Sequence, residues 1–164
     1  MRNFFLLLIF CFGISLVSSA QSNVVKTGPV SLAFGNINVR YEKVLNESSS
    51  IQVKGNYWLN FGDEDVQLYG GGVGWRYFFT HAKKPVPAGF YIMPFAEAGG
   101  GTGFTRFGFG AELGYQWVWD SGFVLDLGLG PCYVIINDDN ADDLDFGSVD
   151  GILPTFTTAI GYAF

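Results

Sequence analysis

The chain has 164 residues, of which 49% are hydrophobic and 18% aromatic, with 23 glycines and a formal net charge of −6. That length suits a single domain, and the apolar content excludes a disordered chain. The acidic balance excludes a general nucleic-acid-binding surface.

Residues 1–20, MRNFFLLLIFCFGISLVSSA, have the layout of a secretory signal peptide. Arg2 supplies the positive start, Phe4 to Val17 the apolar stretch, and Ser18-Ser19-Ala20 the small residues before a cut at Gln21. The apolar stretch is shorter than the ~20 residues of a spanning helix. Cleavage removes Arg2 and Cys11, which takes the net charge to −7 (−6 − 1) and leaves Cys132 as the single cysteine. An exported chain with one cysteine has no internal disulfide, so Cys132 is expected to be a small packed residue. Residues 21–164 are expected to form one domain. Past the signal no apolar run approaches the ~18 residues of a helical span, which leaves a soluble fold or membrane-crossing strands.

The rest of the chain alternates with period two, the mark of β-strands with unlike faces. The first strand is predicted over Val30 to Phe34, where Val30, Leu32 and Phe34 share a face. A two-residue turn at Gly35-Asn36 then shifts the register, both residues tolerating positive φ. In the second strand Ile37, Val39 and Tyr41 oppose Asn38, Arg40 and Glu42. In the third, Ile51, Val53, Tyr57 and Leu59 oppose Gln52, Lys54, Asn56 and Trp58. In the fourth, Tyr69, Val73, Trp75, Tyr77 and Phe79 oppose Gly70, Gly72, Gly74, Arg76 and Phe78. The fifth is less regular, with Phe90, Ile92 and Ala96 against Tyr91, Phe95 and Glu97. The sixth is the clearest: Phe107, Phe109, Ala111, Leu113, Tyr115, Trp117 and Trp119 oppose Arg106, Gly108, Gly110, Glu112, Gly114, Gln116 and Val118. The seventh sets Phe123, Leu125, Leu127, Leu129 and Tyr133 against Val124, Asp126, Gly128, Gly130 and Cys132. The eighth sets Phe156, Thr158, Ile160, Tyr162 and Phe164 against Thr155, Thr157, Ala159, Gly161 and Ala163.

The apolar rows hold more aromatic bulk than a small core can take, and the opposite rows hold charges and glycines. This predicts an all-β, eight-stranded antiparallel up-and-down transmembrane β-barrel, dry outside and polar inside. Such barrels keep both termini in the periplasm. Under that rule the aromatics sort into two belts. Tyr41, Trp75, Tyr77, Phe90, Trp117, Trp119, Phe123, Tyr162 and Phe164 lie at the inner ends, and Phe34, Phe61, Tyr69, Phe107 and Tyr133 at the outer ends. Asp63, Glu64, Asp65, Asp138, Asp139, Asp142, Asp143, Asp145 and Asp150 fall in outer loops, and His81, Lys83 and Lys84 in an inner turn. Lys43 faces outward by parity, at a strand end where it can snorkel.

Eight strands leave room inside for side chains only. The inward charges are Arg40, Lys54, Arg76 and Arg106 against Glu42, Glu97, Glu112 and Asp126. Four cations and four anions are expected to pair into a neutral plug, because an unpaired buried charge is costly. A gated ion path along the same pairs is the alternative. No serine or Gly-x-Ser-x-Gly elbow is set to work with His81. Glu97 and Glu112 resemble a hydrolase pair in type, but each has a cationic neighbour available. The segment Asn137 to Asp145 is acidic without the turn glycine of an EF-hand. It is expected to be a solvated loop that gathers divalent cations weakly near lipopolysaccharide phosphates. The glycine runs at Gly70 and Gly99 lack the lysine and helix of a phosphate loop.

The terminal Ile160-Gly161-Tyr162-Ala163-Phe164 resembles the outer-membrane sorting signal, with Ile160, Tyr162 and Phe164 as its apolar positions. That resemblance implies insertion by the barrel-assembly machinery. Three blocks resemble a family of small outer-membrane β-barrel proteins of unknown function in Gram-negative bacteria. They are Gly35 to Glu42, then Arg76-Tyr77-Phe78-Phe79 with Pro87 to Ile92, then Gly110 to Trp117. The fold is similar to the OmpA and OmpX barrels. These motifs are structural and imply the barrel rather than an activity. The expected role is non-enzymatic, structural or surface-interacting, in the outer membrane and without a cofactor. A narrow conduit for small or hydrophobic solutes and a soluble exported barrel of lipocalin type stay open as alternatives.

Overall fold

A computed structural model describes residues 21–59, 68–101, 103–138 and 150–164. The proposed signal peptide, Phe61, the acidic residues 63–65 and most of the acidic segment 137–150 lie outside the described residues. Eight antiparallel strands close into a barrel in sequence order. They are β1 (Asn23–Thr27), β2 (Asn36–Asn46), β3 (Ser49–Trp58), β4 (Leu68–Phe78), β5 (Gly89–Gly101), β6 (Phe104–Val118), β7 (Phe123–Asp138) and β8 (Gly151–Ala163). The fold class is therefore as expected: all-β, eight-stranded and up-and-down. The first and last described residues and the turns at 47–48, 79–88 and 119–122 lie at one end, here the turn end. The strand ends that flank residues 28–35, 59–67, 102–103 and 139–150 lie at the other, the loop end.

Facing assignments for β2 to β8 hold along each strand. Phe109, Leu113, Leu129 and Phe156 stand outward, and Arg76, Glu112, Gln116 and Asp126 are buried inside. The register winds as it goes round. Lys26 faces Arg40, then the rung passes through Lys54, Gly72, Glu97, Gly108 and Val134 to Gly151. Lys26 itself also faces Gly161, so the sheet closes with an offset of ten residues (161 − 151). Closing a sheet with such a stagger tilts the strands by roughly 35–45° from the barrel axis, and eight strands leave a lumen that side chains fill.

The first strand is where the expectation fails. Val30 to Phe34 is not a strand. Pro29–Ala33 forms a short helix, α1, with Pro29 at its first turn, where a fixed φ and a missing N–H cost nothing. Gly35, at φ 76, ends it, and Asn36 already belongs to β2, so no two-residue hairpin exists there. The true first strand is the five residues Asn23–Thr27, paired with β2 on one side and with β8 on the other.

Because β1 is so short, the barrel wall is unequal. Its last pairs are Thr27 with Val39 and Thr27 with Ile160. Toward the loop end, Asn36–Asn38 of β2 and Gly151–Thr158 of β8 have no strand between them, and α1 packs against both β2 and β8 there. Asn38 finishes the edge of β2: its carbonyl accepts from Thr27 Oγ1 at 2.7 Å, and its amide oxygen from the Gly28 N–H at 3.1 Å. Hydrogen exchange reads this directly. In refolded protein, alternate amides of Gly151–Thr158 should exchange faster than the amides of β7 that are bonded on both sides. Uniform protection along β8 would mean that a strand covers its edge.

Candidate functional site

Among the described residues charge is concentrated in the lumen, and it is layered. At the turn end, Lys26, Glu42, Arg76 and Asp126 are each at most 1% exposed. They come from β1, β2, β4 and β7. Lys26 Nζ donates to Glu42 Oε2 at 2.6 Å, to Gln116 Oε1 at 2.7 Å and to Asp126 Oδ2 at 2.7 Å, which uses all three of its protons. Arg76 grips the same acceptors, with Nη2 at 2.7 Å from Asp126 Oδ2, Nη1 at 2.8 Å from Gln116 Oε1 and Nη1 at 3.3 Å from Glu42 Oε2. The remaining carboxylate oxygens take hydroxyls: Tyr91 donates to Asp126 Oδ1 at 2.7 Å and Ser50 to Glu42 Oε1 at 2.5 Å. Gln116 in turn donates to the Pro87 carbonyl at 2.8 Å. The Arg76 guanidinium lies over the Tyr91 ring, 4.0 Å from its centroid. Two cations and two anions, with every carboxylate oxygen accepting at least one hydrogen bond, satisfy the condition under which buried charge is tolerated.

Bulk is admitted by glycine. A Cβ on Gly114 would strike the Tyr91 ring, and one on Gly161 would sit 2.7 Å from Lys26 Cγ. Hydrophobic side chains close the layer: Val24, Val124 and Ala163 on one side, Phe78, Tyr91 and Met93 on the other.

Above this cluster sits a second layer. Glu112 accepts from Thr155 Oγ1 at 2.9 Å and from Thr157 Oγ1 at 2.7 Å, and Arg40 Nη1 donates to that same Thr157 hydroxyl at 2.9 Å. The expectation that Glu112 has a cation beside it is therefore corrected: two threonines hold it, and Arg40 reaches it only through one of them. A cavity of about 10 Å³, one water in size, remains beside Arg40, Gln52, Glu112 and Thr157. Among the described residues, Arg40 Nε and Gln52 Oε1 have no hydrogen-bond partner. Nearest the loop end, Glu97 is paired with Lys54 and, at 2.8 Å, with Arg106 Nη2.

Of the eight charges expected inside, all eight face the lumen. They do not form one network but three separate groups. The expected balance of four against four is also corrected. Lys26 belongs to the set, so five cations meet four anions. The turn-end cluster is neutral, and the surplus positive charge lies toward the loop end, where Arg40, Lys54 and Arg106 meet Glu97 and Glu112.

Of the other candidates, Cys132 faces the lumen and the rest do not. His81 lies in the β4–β5 turn with Nδ1 2.7 Å from the Phe78 carbonyl oxygen and its ring edge-on to Tyr77. Cys132 is buried and free. Asp150 accepts from the Ile136 N–H at 3.2 Å. Ile160, Tyr162 and Phe164 stand outward at the end of β8, all solvent-exposed.

The turn-end cluster makes a quantitative prediction. Lys26→Met leaves two buried carboxylates facing one arginine and should destabilise the refolded barrel by about 3–5 kcal/mol. Asp126→Asn should cost a similar amount, and the double variant should cost less than the two added together. Urea unfolding followed by tryptophan emission measures all three. Strict additivity would mean that the two residues do not interact.

No curated protein and no solved structure matches this chain. A family described as "Protein of unknown function (DUF3575)" matches residues 4–148, most of its length. The chain belongs to that family of proteins of unknown function, and it builds an eight-stranded β-barrel.

Proposed function

We propose that this barrel spans the outer membrane of a Gram-negative bacterium, with a closed lumen and a structural or surface-interaction role without catalysis. One observation carries the reading: the barrel is inverted. Leu113, Phe156 and Phe109 are 61%, 67% and 53% exposed on the outside, while Lys26, Arg76, Glu42 and Asp126 are sealed within. A water-soluble barrel would hold the apolar rows inside. In lipid the cost reverses, and closure of the sheet leaves its backbone satisfied.

The rings support a membrane depth. Near the turn end, Trp75, Tyr77 and Phe79 contact one another in series, as do Phe90, Tyr115 and Trp117, and Trp119 with Phe123. Phe34, Tyr69, Phe107 and Tyr133 are exposed nearer the loop end. Two such girdles match headgroup interfaces. In this reading residues 1–20 are removed on export, and Ile160, Tyr162 and Phe164 present the assembly signal on an outward row. Lipopolysaccharide surrounds the loop end, and the acidic loops gather divalent cations there.

Closure follows from the turn-end cluster, which fills the lumen from four strands. Glu97 and Glu112 both have their oxygens engaged, which argues against a hydrolytic pair. The expected outcome is recovery in the outer-membrane fraction, with a heat-modifiable mobility on gels, and little or no steady conductance in planar bilayers. Release as a soluble protein on osmotic shock would defeat the membrane reading. A large open channel would defeat the plug.

A further inference from the structure

The neutral cluster closes the turn end, but toward the loop end a hollow remains among the described residues. A cavity of about 210 Å³ opens there, bordered by Asn56, Trp58, Glu97 and Arg106 and by glycine backbone of β4 and β5. The register explains the space. Asn56 faces Gly70, Gly70 faces Gly99, and Gly99 faces Arg106, so one rung carries two polar side chains separated by two glycines. A Cβ on Gly99 would collide with the Tyr69 carbonyl oxygen at 2.7 Å, and one on Gly70 would be tight against the Ala98 carbonyl oxygen at 3.0 Å. The rung below runs from Lys54 through Gly72 to Glu97 and supplies a floor of paired charge.

The groups at this cavity are unspent. Arg106 has five N–H donors, and its side chain is 42% exposed with Glu97 as its one ion-pair partner among the described residues. The Asn56 amide makes no hydrogen bond among the described residues. Trp58 stands inward at the rim, and with the Asn36 amide oriented to bond, its indole Nε1 donates to Asn36 at 3.1 Å, which fixes the ring. The surplus positive charge of the lumen lies at this level.

We infer that the loop-end cavity is a binding well for a small planar carboxylate. The carboxylate pairs with the free edge of the Arg106 guanidinium, a geometry that arginine favours. The Asn56 amide adds a hydrogen bond, and the ring of the ligand lies against Trp58. The well has one mouth, because the turn-end cluster blocks the other, so it holds its ligand rather than passing it on. The volume, about 210 Å³, suits a ligand of a single ring or an amino-acid-sized acid. This inference goes beyond the outer-membrane reading and does not depend on it, since it requires only the folded barrel.

The test is a titration of refolded, nitrogen-15-labelled protein with benzoate, benzamide and inorganic phosphate, followed at the Trp58 indole N–H. Benzoate should shift that resonance saturably, with benzamide and phosphate each binding at least tenfold more weakly. Arg106→Gln should weaken benzoate at least tenfold, while Arg106→Lys retains part of the affinity. Trp58→Leu should weaken it as well, read then at the Asn56 side-chain amide. An unchanged spectrum at millimolar benzoate, or benzoate binding unaltered by Arg106→Gln, overturns the inference. Equal binding of phosphate and benzoate overturns the planar-ring part of it. A spectrum that loses its dispersion in Arg106→Gln is answered by Arg106→Lys, which keeps the pair with Glu97.

Discussion

Lys26 joins the shortest strand of this barrel to three others through its centre, and closure of the wall depends on that contact. β1 has five residues and pairs with β8 at only four positions. Pairing of that length is a weak seam, and loop-closure entropy for joining the first and last strands is large. The three hydrogen bonds of the Lys26 ammonium run to β2, β6 and β7, and Arg76 of β4 grips the same carboxylates. The seam is thus held from inside, by charge that has no water to compete with it.

The rest of the interior follows from fitting that cluster into eight strands. A sheet closed with an offset of ten residues winds each rung upward as it turns, so neighbours on one rung come from different depths of the chain. Large groups such as Arg76, Tyr91 and Met93 fill the turn end, and glycines opposite them keep the wall from colliding. Toward the loop end the glycines face one another across β4 and β5, and the same device that admits bulk below leaves a cavity above. One composition therefore yields a sealed end and a hollow end.

Much of this was legible in the sequence, for a physical reason. On β2 to β8 each inward row differs in kind from each outward row, so parity alone assigns faces, and all eight charges named from parity do face the lumen. β1 escaped because its inward row is Val24 and Lys26. Val24 packs on Val124 and Ala163, so the alternation of polarity is absent just where the strand is shortest. Val30, Leu32 and Phe34 meanwhile alternate like a strand, yet Pro29 starts a helix there and the gap between β2 and β8 accommodates it. The partners of Glu112 were not readable either. Whether a carboxylate meets Arg40 or Thr155 and Thr157 depends on register around the whole barrel, which no single strand encodes.

The proposed sidedness sets the apolar rows against lipid and the charge within. The four tryptophans test it without an added probe, because Trp75, Trp117 and Trp119 stand outward and Trp58 lines the lumen. Single-tryptophan variants, with phenylalanine at the other three positions, can be refolded into vesicles of lipids brominated along the acyl chain. Emission from Trp75 and Trp117 should be strongly quenched, and emission from Trp58 should not. Quenching of Trp58 to the same extent, or no quenching of the outward pair, would rule out that sidedness.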